Sequence, residues 1–130
     1  MTYQLKTSFK KILSDTITPV SIYLKIRDNF PNSILLESSD YHGNENSFSY
    51  ICFNPIASIS IQNGKISQRF PDGKNNVIDI DPAVDVPMEI HHFSQKFKAE
   101  DQKFKFINNG LFGYISYDAV QFFEDISITP

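Results

Sequence analysis

The residues whose types and spacing could do chemistry lie at positions 37–40, in the run Glu-Ser-Ser-Asp. This run ends the short apolar segment that begins at Ser33, which favours a strand buried on both faces. A carboxylate, hydroxyls and free backbone groups at the end of such a strand could contact the ammonium and carboxylate groups of a small ligand. Glu37 and Asp40 could instead act as a general acid and base, although any two carboxylates near a loop permit that interpretation. A third interpretation is that residues 37–40 form only a solvated polar edge, without a ligand or a catalytic role.

The other groups that could carry chemistry fit structural roles better. His91 and His92 are adjacent on a predicted helix and so point about 100° apart, whereas two metal ligands on a helix need the i, i+4 spacing. Cys52 lies between apolar neighbours and is expected to pack as a small hydrophobe. Gly110 and Gly113 belong to a GLFG run that lacks the lysine of a phosphate-binding loop. These groups therefore predict no metal site or phosphate loop, and none of them is predicted to be a catalytic residue.

Length and composition predict one folded domain. The chain has 130 residues, of which 41% are hydrophobic, and its 12 basic and 15 acidic residues give a net charge of -3. This charge and the two arginines, Arg27 and Arg69, make nucleic acid a poor partner. One cysteine, no secretory signal and no apolar run of membrane-spanning length predict a cytoplasmic protein without a membrane partner.

Caps and apolar periodicity predict two helices. Thr18 can cap a helix that starts at Pro19 and runs to about Asn29. One side of this helix is predicted to be apolar, with Val20, Tyr23, Leu24 and Arg27 on one face and Ile22, Ile26 and Phe30 flanking it. A second helix is predicted from about Pro87 to Lys98. Its apolar residues fall at i, i+4, i+7 and i+11, namely Val86, Ile90, Phe93 and Phe97.

The remaining apolar runs predict strands. Asn63-Gly64 separates two alternating segments, which is typical of a two-residue hairpin turn. The apolar segment 106–117 suggests a further strand interrupted by glycine, and the segment 118–124 suggests a helical turn. The predicted fold class is α+β, a mainly antiparallel β-sheet with two or three helices packed on it. The chain stops soon after a strongly apolar segment, which suggests that it was cut from a longer protein.

Four segments in order resemble the N-terminal region of anthranilate synthase component I, the large subunit of the first enzyme committed to tryptophan synthesis. These segments cover most of the chain. They are Thr18-Pro19-Val20, Leu35-Leu36-Glu37-Ser38, Phe48-Ser49-Tyr50-Ile51 with Asn54-Pro55, and Gly110 to Asp118 followed by Phe123-Glu124.

The resemblance implies a divided function. Residues 1–130 would form the N-terminal regulatory domain of a truncated component I, and the catalytic domain that binds chorismate would be absent. The family converts chorismate and glutamine-derived ammonia to anthranilate and pyruvate, with ammonia supplied by an amidotransferase subunit, component II. Its Mg²⁺ belongs to the missing domain, so the resemblance implies no cofactor here and no activity for this chain alone.

The resemblance also implies a site for tryptophan as a feedback inhibitor. Carried over by position, its residues are Leu36, Glu37 and Ser38, with Ser47 and Phe48 beside them. Leu36 would pack on the indole ring, and the polar residues would contact the amino group. Three alternatives stay open: component I of aminodeoxychorismate synthase in the folate branch, a freestanding amino-acid-binding module, and a scaffold whose apolar strands complete a partner's sheet.

Overall fold

The computed structural model describes residues 2–13, 15–37, 48–99 and 110–122. These residues form two compact units. Unit one comprises the described residues in 2–7, 56–99 and 110–122, and unit two comprises those in 8–37 and 48–55.

Seven strands, two α-helices and one 3₁₀ helix are present among the described residues. In chain order they are β1 (Tyr3–Leu5), α1 (Pro19–Ile26), β2 (Ile34–Glu37), β3 (Ser49–Cys52), β4 (Ser58–Gln62), β5 (Lys65–Arg69), β6 (Asn75–Asp79), α2 (Val86–Gln95), β7 (Phe97–Ala99) and a 3₁₀ helix (Tyr117–Phe122). Two of the three sheets are antiparallel and one is parallel. The predicted α+β class is confirmed.

Unit one contains a three-stranded antiparallel sheet in the order β4-β5-β6. Gln62 pairs with Lys65 across the predicted two-residue turn. Asn63 and Gly64 have φ values of 55° and 72°. Positive φ at both central residues is what a type I′ turn requires, and the twist of that turn matches the twist of the flanking strands. The hairpin prediction is therefore confirmed.

The core of unit one is built from residues of β5, of α2 and of the position just after β5. Ile66 and Phe70, which lies just after β5, are buried, as are Val86 and Phe93 of α2. Asp85 caps this helix, because its side chain accepts a hydrogen bond from the Met88 amide at 3.2 Å. The predicted start and apolar face of the second helix are confirmed.

The end of this helix differs from the prediction. α2 ends at Gln95 rather than near Lys98, and Phe97–Ala99 forms β7, which pairs in parallel with β1. Phe97 remains next to Phe93, with their ring centroids 5.2 Å apart. Helical spacing correctly identified Phe97 as an apolar core-facing position. It could not predict that the chain changes from helix to strand there, because that change depends on pairing with β1 near the start of the chain.

Unit two contains α1, β2 and β3, and the helix packs on both strands. Thr18 caps α1 in a reciprocal pair: its hydroxyl accepts from the Ser21 amide at 3.1 Å, and the Ser21 hydroxyl accepts from the Thr18 amide at 3.2 Å. The predicted start is confirmed. The helix ends at Ile26, and residues 27–29 form a turn in place of the predicted last helical residues.

Burial in unit two departs from two expectations. Ile22, Tyr23 and Ile26 are half-buried, whereas Val20 and Leu24 on the predicted apolar face remain exposed. The sequence favours a β2 strand that is buried on both faces. It pairs with β3 alone among the described residues; its first three residues are half-buried and its last is exposed.

The C-terminal part also differs in detail. Residues 110–116 have no strand geometry, in contrast to the strand expected over 106–117, of which residues 106–109 lie outside the described residues. The predicted helical turn corresponds to the 3₁₀ helix Tyr117–Phe122, and Phe123 and Glu124 lie outside the described residues.

Candidate ligand-binding site at the end of the β2–β3 ladder

Backbone pairing between β2 and β3 positions the predicted ligand-binding residues. The strands are antiparallel, with Leu36 opposite Tyr50 and Glu37 opposite Ser49. Apolar, aromatic and β-branched side chains fill most of both strands, which suits a pleated surface that is partly covered. The polar pair Glu37 and Ser49 marks the end of the ladder.

Strand alternation places Leu36 and Glu37 on opposite faces of this sheet. One face carries the half-buried residues Ile34, Leu36, Tyr50 and Cys52. On the other face, Glu37 and Ser49 are exposed at the end of the ladder. A ligand that contacts both Leu36 and Glu37 therefore has to lie across the end of the strand pair rather than on either face.

The structure brings three of the five predicted site residues to this end. Leu36 and Glu37 are the last two residues of β2, and Phe48, which is half-buried, directly precedes β3. Ser38 and Ser47 lie outside the described residues. The arrangement offers an apolar side chain, an aromatic ring and a carboxylate within one short stretch of paired backbone.

The electrostatics of this end suit a cationic group. The Glu37 side chain is exposed, and no ion pair links it to another residue in the described part of the chain. A carboxylate accepts hydrogen bonds only, so its natural partner is an ammonium or another N–H group. Glu37 is thus available to contact the amino group of a ligand.

The geometry of Cys52 fits the packing role predicted for it. The residue pairs with Ile34 and is half-buried. Burial raises the pKa of the Cys52 thiol, which keeps it protonated and weakly nucleophilic at neutral pH.

Metal-ligating side chains do not cluster in the described part of the chain. Within residues 2–13, 15–37, 48–99 and 110–122, no three His, Cys, Asp or Glu residues are placed to hold a metal ion. His91 and His92 are exposed on α2, with ring centroids 6.3 Å apart. The lack of a metal site remains a prediction for the whole chain.

Sequence reasoning missed an aromatic cluster in unit one. Tyr3 stacks on Phe70 and on Phe97, with 5.6 Å between the ring centroids in each pair. The Tyr3 hydroxyl donates a hydrogen bond to Asp72 Oδ2 at 3.0 Å, and Lys96 Nζ lies 4.9 Å from the centre of the Phe70 ring. The alternation of Tyr3 and Leu5 with polar residues was the available signal for a strand here.

Comparisons with known proteins confirm the resemblance to anthranilate synthase component I. The chain is 30% identical over 122 residues to the protein named anthranilate synthase component 1 from Lactococcus lactis. It is 29% identical to the proteins of the same name from Aquifex aeolicus, over 126 residues, and Methanothermobacter thermautotrophicus, over 112 residues.

The matches cover most of this chain but only a small part of each relative. They cover 90%, 95% and 86% of this chain but only 24%, 24% and 22% of the respective relatives. The chain thus spans about a quarter of the length of the curated relatives it matches. No protein-family model and no solved structure matches it. None of the described helices is long and apolar enough to cross a membrane.

Proposed function

We propose that this chain is the N-terminal regulatory part of an anthranilate synthase component I. The observation that carries the proposal is the similarity along nine tenths of the chain to a protein of that name, of which the match covers 24%. The complete protein would act as a lyase that converts chorismate and ammonia to anthranilate and pyruvate. Component II would supply the ammonia from glutamine.

In this proposal the present chain regulates and does not catalyse. The chorismate site and Mg²⁺ belong to the part of the protein that the chain does not contain. The scarcity of arginine supports this division, because arginine is the side chain best suited to bidentate binding of a dicarboxylate such as chorismate. One of the two arginines, Arg27, lies 3.9 Å from Asp28 in an exposed ion pair.

The end of the β2–β3 ladder is the proposed tryptophan site. Leu36 and Phe48 supply apolar contacts for the indole ring, and Glu37 accepts hydrogen bonds from the ammonium group. Ser38 and Ser47 belong to the proposed site by sequence position. Because Leu36 and Glu37 project to opposite faces, the ligand would lie across the strand ends with its ring and its amino group directed to different sides.

Inhibition requires that tryptophan distinguish two arrangements of the complete enzyme. A ligand shifts an equilibrium only by its difference in affinity for the two states. A site at the open end of a two-stranded ladder can make this difference if the remainder of the enzyme closes over the site in the inhibited state. Tryptophan would then hold the enzyme in that state.

The test of the site is Glu37→Gln in the complete enzyme. This change keeps the side-chain shape but removes the charge, and a hydrogen bond to a charged group contributes about 1.5–3 kcal/mol. Half-inhibition should therefore need roughly 10- to 100-fold more tryptophan, relative to the uninhibited rate of the same variant.

The matched control is Asp79→Asn in β6 of unit one, where the carboxylate is exposed and lies 3.8 Å from Lys65 Nζ. This variant should keep the inhibition curve of the unmodified enzyme. A Glu37→Gln enzyme that is inhibited as strongly as the control would contradict the assignment of the site.

The test of the parent protein is the size of the native polypeptide in its own cells. An antibody raised against this chain should detect a band several times heavier than 14.9 kDa. A band at 14.9 kDa would instead favour a freestanding amino-acid-binding module. Anthranilate as the product of the complete enzyme, rather than aminodeoxychorismate, would separate the tryptophan branch from the folate branch.

A further inference from the structure

Unit one contains a half-open cavity of about 280 Å³ that the proposed regulatory site does not use. Its lining reaches from the core to the surface. Phe93 in this lining is 1% exposed, whereas Leu111 is 50% exposed and Ile56 is exposed as well. Large apolar side chains thus remain in contact with water around an apolar interior, and a ligand in the cavity would remove that contact.

The lining restricts the charge of a ligand. Most described lining residues are apolar, and none of them carries a charged side chain. An unpaired charge in such a place is costly because burial removes its hydration. The ligand that fits is therefore neutral and largely apolar.

Ser94 contributes the one polar side chain among the described lining residues. Its hydroxyl donates a hydrogen bond to the His91 carbonyl oxygen at 2.7 Å. Because the proton is already used, the hydroxyl oxygen is left as an acceptor. A ligand that carries an N–H or O–H group can satisfy it.

The size and the aromatic walls indicate the class of ligand. An apolar cavity of about 150 Å³ accepts benzene, so the larger space here admits one or two rings. Phe93 and Phe97 line the cavity with their rings at an interplanar angle of 63°, and a third ring can extend this edge-to-face arrangement. We propose that the cavity binds a neutral aromatic compound of one or two rings that carries one hydrogen-bond donor.

This proposal is independent of the proposed tryptophan site, which lies in unit two. Indole is a suitable probe for it, because indole is neutral, has one N–H group and lacks the amino and carboxylate groups of an amino acid. The chain contains no tryptophan, so the emission of added indole can be followed directly. Titration of the chain into indole should give a saturable shift of the emission to shorter wavelength.

Ala57→Met and its control test whether indole enters the cavity. Ala57 lines the cavity, and a methionine side chain there should lower the affinity at least tenfold by filling the space. Ala83→Met adds the same side chain at an exposed turn outside the lining and should leave the affinity unchanged. Thermal unfolding of both variants checks that they fold, and Ala99→Met provides a second filling variant if Ala57→Met does not.

Ser94→Ala tests whether the ligand donates a hydrogen bond to the Ser94 hydroxyl oxygen. Indole should bind the unmodified chain about three- to tenfold more tightly than 1-methylindole, which lacks the N–H group, and Ser94→Ala should remove this difference. Equal affinities in the unmodified chain would overturn the donor requirement.

Two results would overturn the cavity itself as the site: no saturable response to indole, or an equal response in the filling and control variants. Glu37→Gln should leave indole binding unchanged. Loss of indole binding in that variant would move the site to unit two and overturn this proposal, whereas loss of tryptophan inhibition alone concerns the regulatory site.

Discussion

Asp72 and Tyr3 show how single residues join distant parts of unit one. The Lys74 amide donates to Asp72 Oδ1 at 3.0 Å, and Tyr3, 69 positions earlier in the chain, donates to Oδ2. The Lys74 hydrogen bond, with smaller contributions from Tyr3 and the Lys74 charge, holds the pKa of the Asp72 carboxyl below its ordinary value, against an opposing effect of burial. Burial, followed by the contact with Asp72, raises the pKa of Tyr3 and keeps its hydroxyl protonated as a donor.

This linkage predicts a dependence of stability on pH. Because folding lowers the pKa of Asp72, its stabilising contribution is present above the pKa of the unfolded state and is lost as pH falls through the folded-state value. The difference in thermal stability between the unmodified chain and Asp72→Asn should therefore shrink below about pH 4. Tyr3→Phe, which keeps the ring and removes the donor, should show a smaller pH dependence than the unmodified chain. Circular dichroism melts from pH 7 to pH 3 measure both, and a constant difference across that range would contradict the linkage.

At the candidate regulatory site, sequence reasoning named candidate residues but could not predict their cross-strand partners or their exposure. The adjacency of Leu36 and Glu37 and their alternation follow from strand geometry. Their partners Tyr50 and Ser49 depend on the register with β3, which the sequence did not specify. The partial exposure of β2 depends on which elements cover it, and no local pattern encodes that coverage.

Among the elements, those predicted correctly carry their own local signals. The β4–β5 turn is encoded by Asn63-Gly64, and the starts of α1 and α2 by Thr18-Pro19 and Asp85. The β1–β7 pair was not predicted, because its two strands are only three residues long and lie far apart in the sequence, with Tyr3 paired to Phe97. Pairing across such a sequence separation is decided by tertiary packing, which short-range patterns do not describe.

The turn between β4 and β5 gives a prediction about stability. Gly64→Ala places a Cβ at φ 72°, and since nothing lies within 4 Å of that position the cost is conformational rather than steric. The free energy of unfolding should fall by about 1–2 kcal/mol.

Gly113→Ala is the matched control for this turn. Its position also has open space around the added Cβ, and its φ lies outside the left-handed range. This variant should leave stability unchanged or raise it slightly. Urea unfolding of both variants provides the measurement, and equal midpoints would show that the turn conformation does not limit stability.

At the scale of the molecule, one group of exposed apolar side chains lies in the described C-terminal segment. Tyr114 is 90% exposed and Tyr117 is 87% exposed, with exposed Ile115 between them. Large apolar side chains exposed this close together in sequence can form an interaction surface. In the proposed function, the remainder of component I is the partner.

This surface predicts self-association of the isolated chain. Tyr114→Ser combined with Ile115→Ser should shift the association equilibrium toward monomer, because both side chains are lost from the exposed surface. Val77→Ser, at an exposed apolar position on β6, serves as the control and should have a smaller effect. Sedimentation velocity over a range of concentrations measures the shift. A monomeric unmodified chain at all concentrations would contradict the prediction.

The parallel pairing of β1 with β7 also bears on the order of events on the ribosome. Tyr3 is synthesised more than ninety residues before its partner Phe97. At about 5–20 residues per second, β1 waits on the order of 5–20 s for that partner. The described residues of unit two all lie between these strands in the sequence, so they leave the ribosome while unit one is still incomplete. Vectorial synthesis therefore gives α1, β2 and β3 the first opportunity to assemble, and the closing of unit one is the later step.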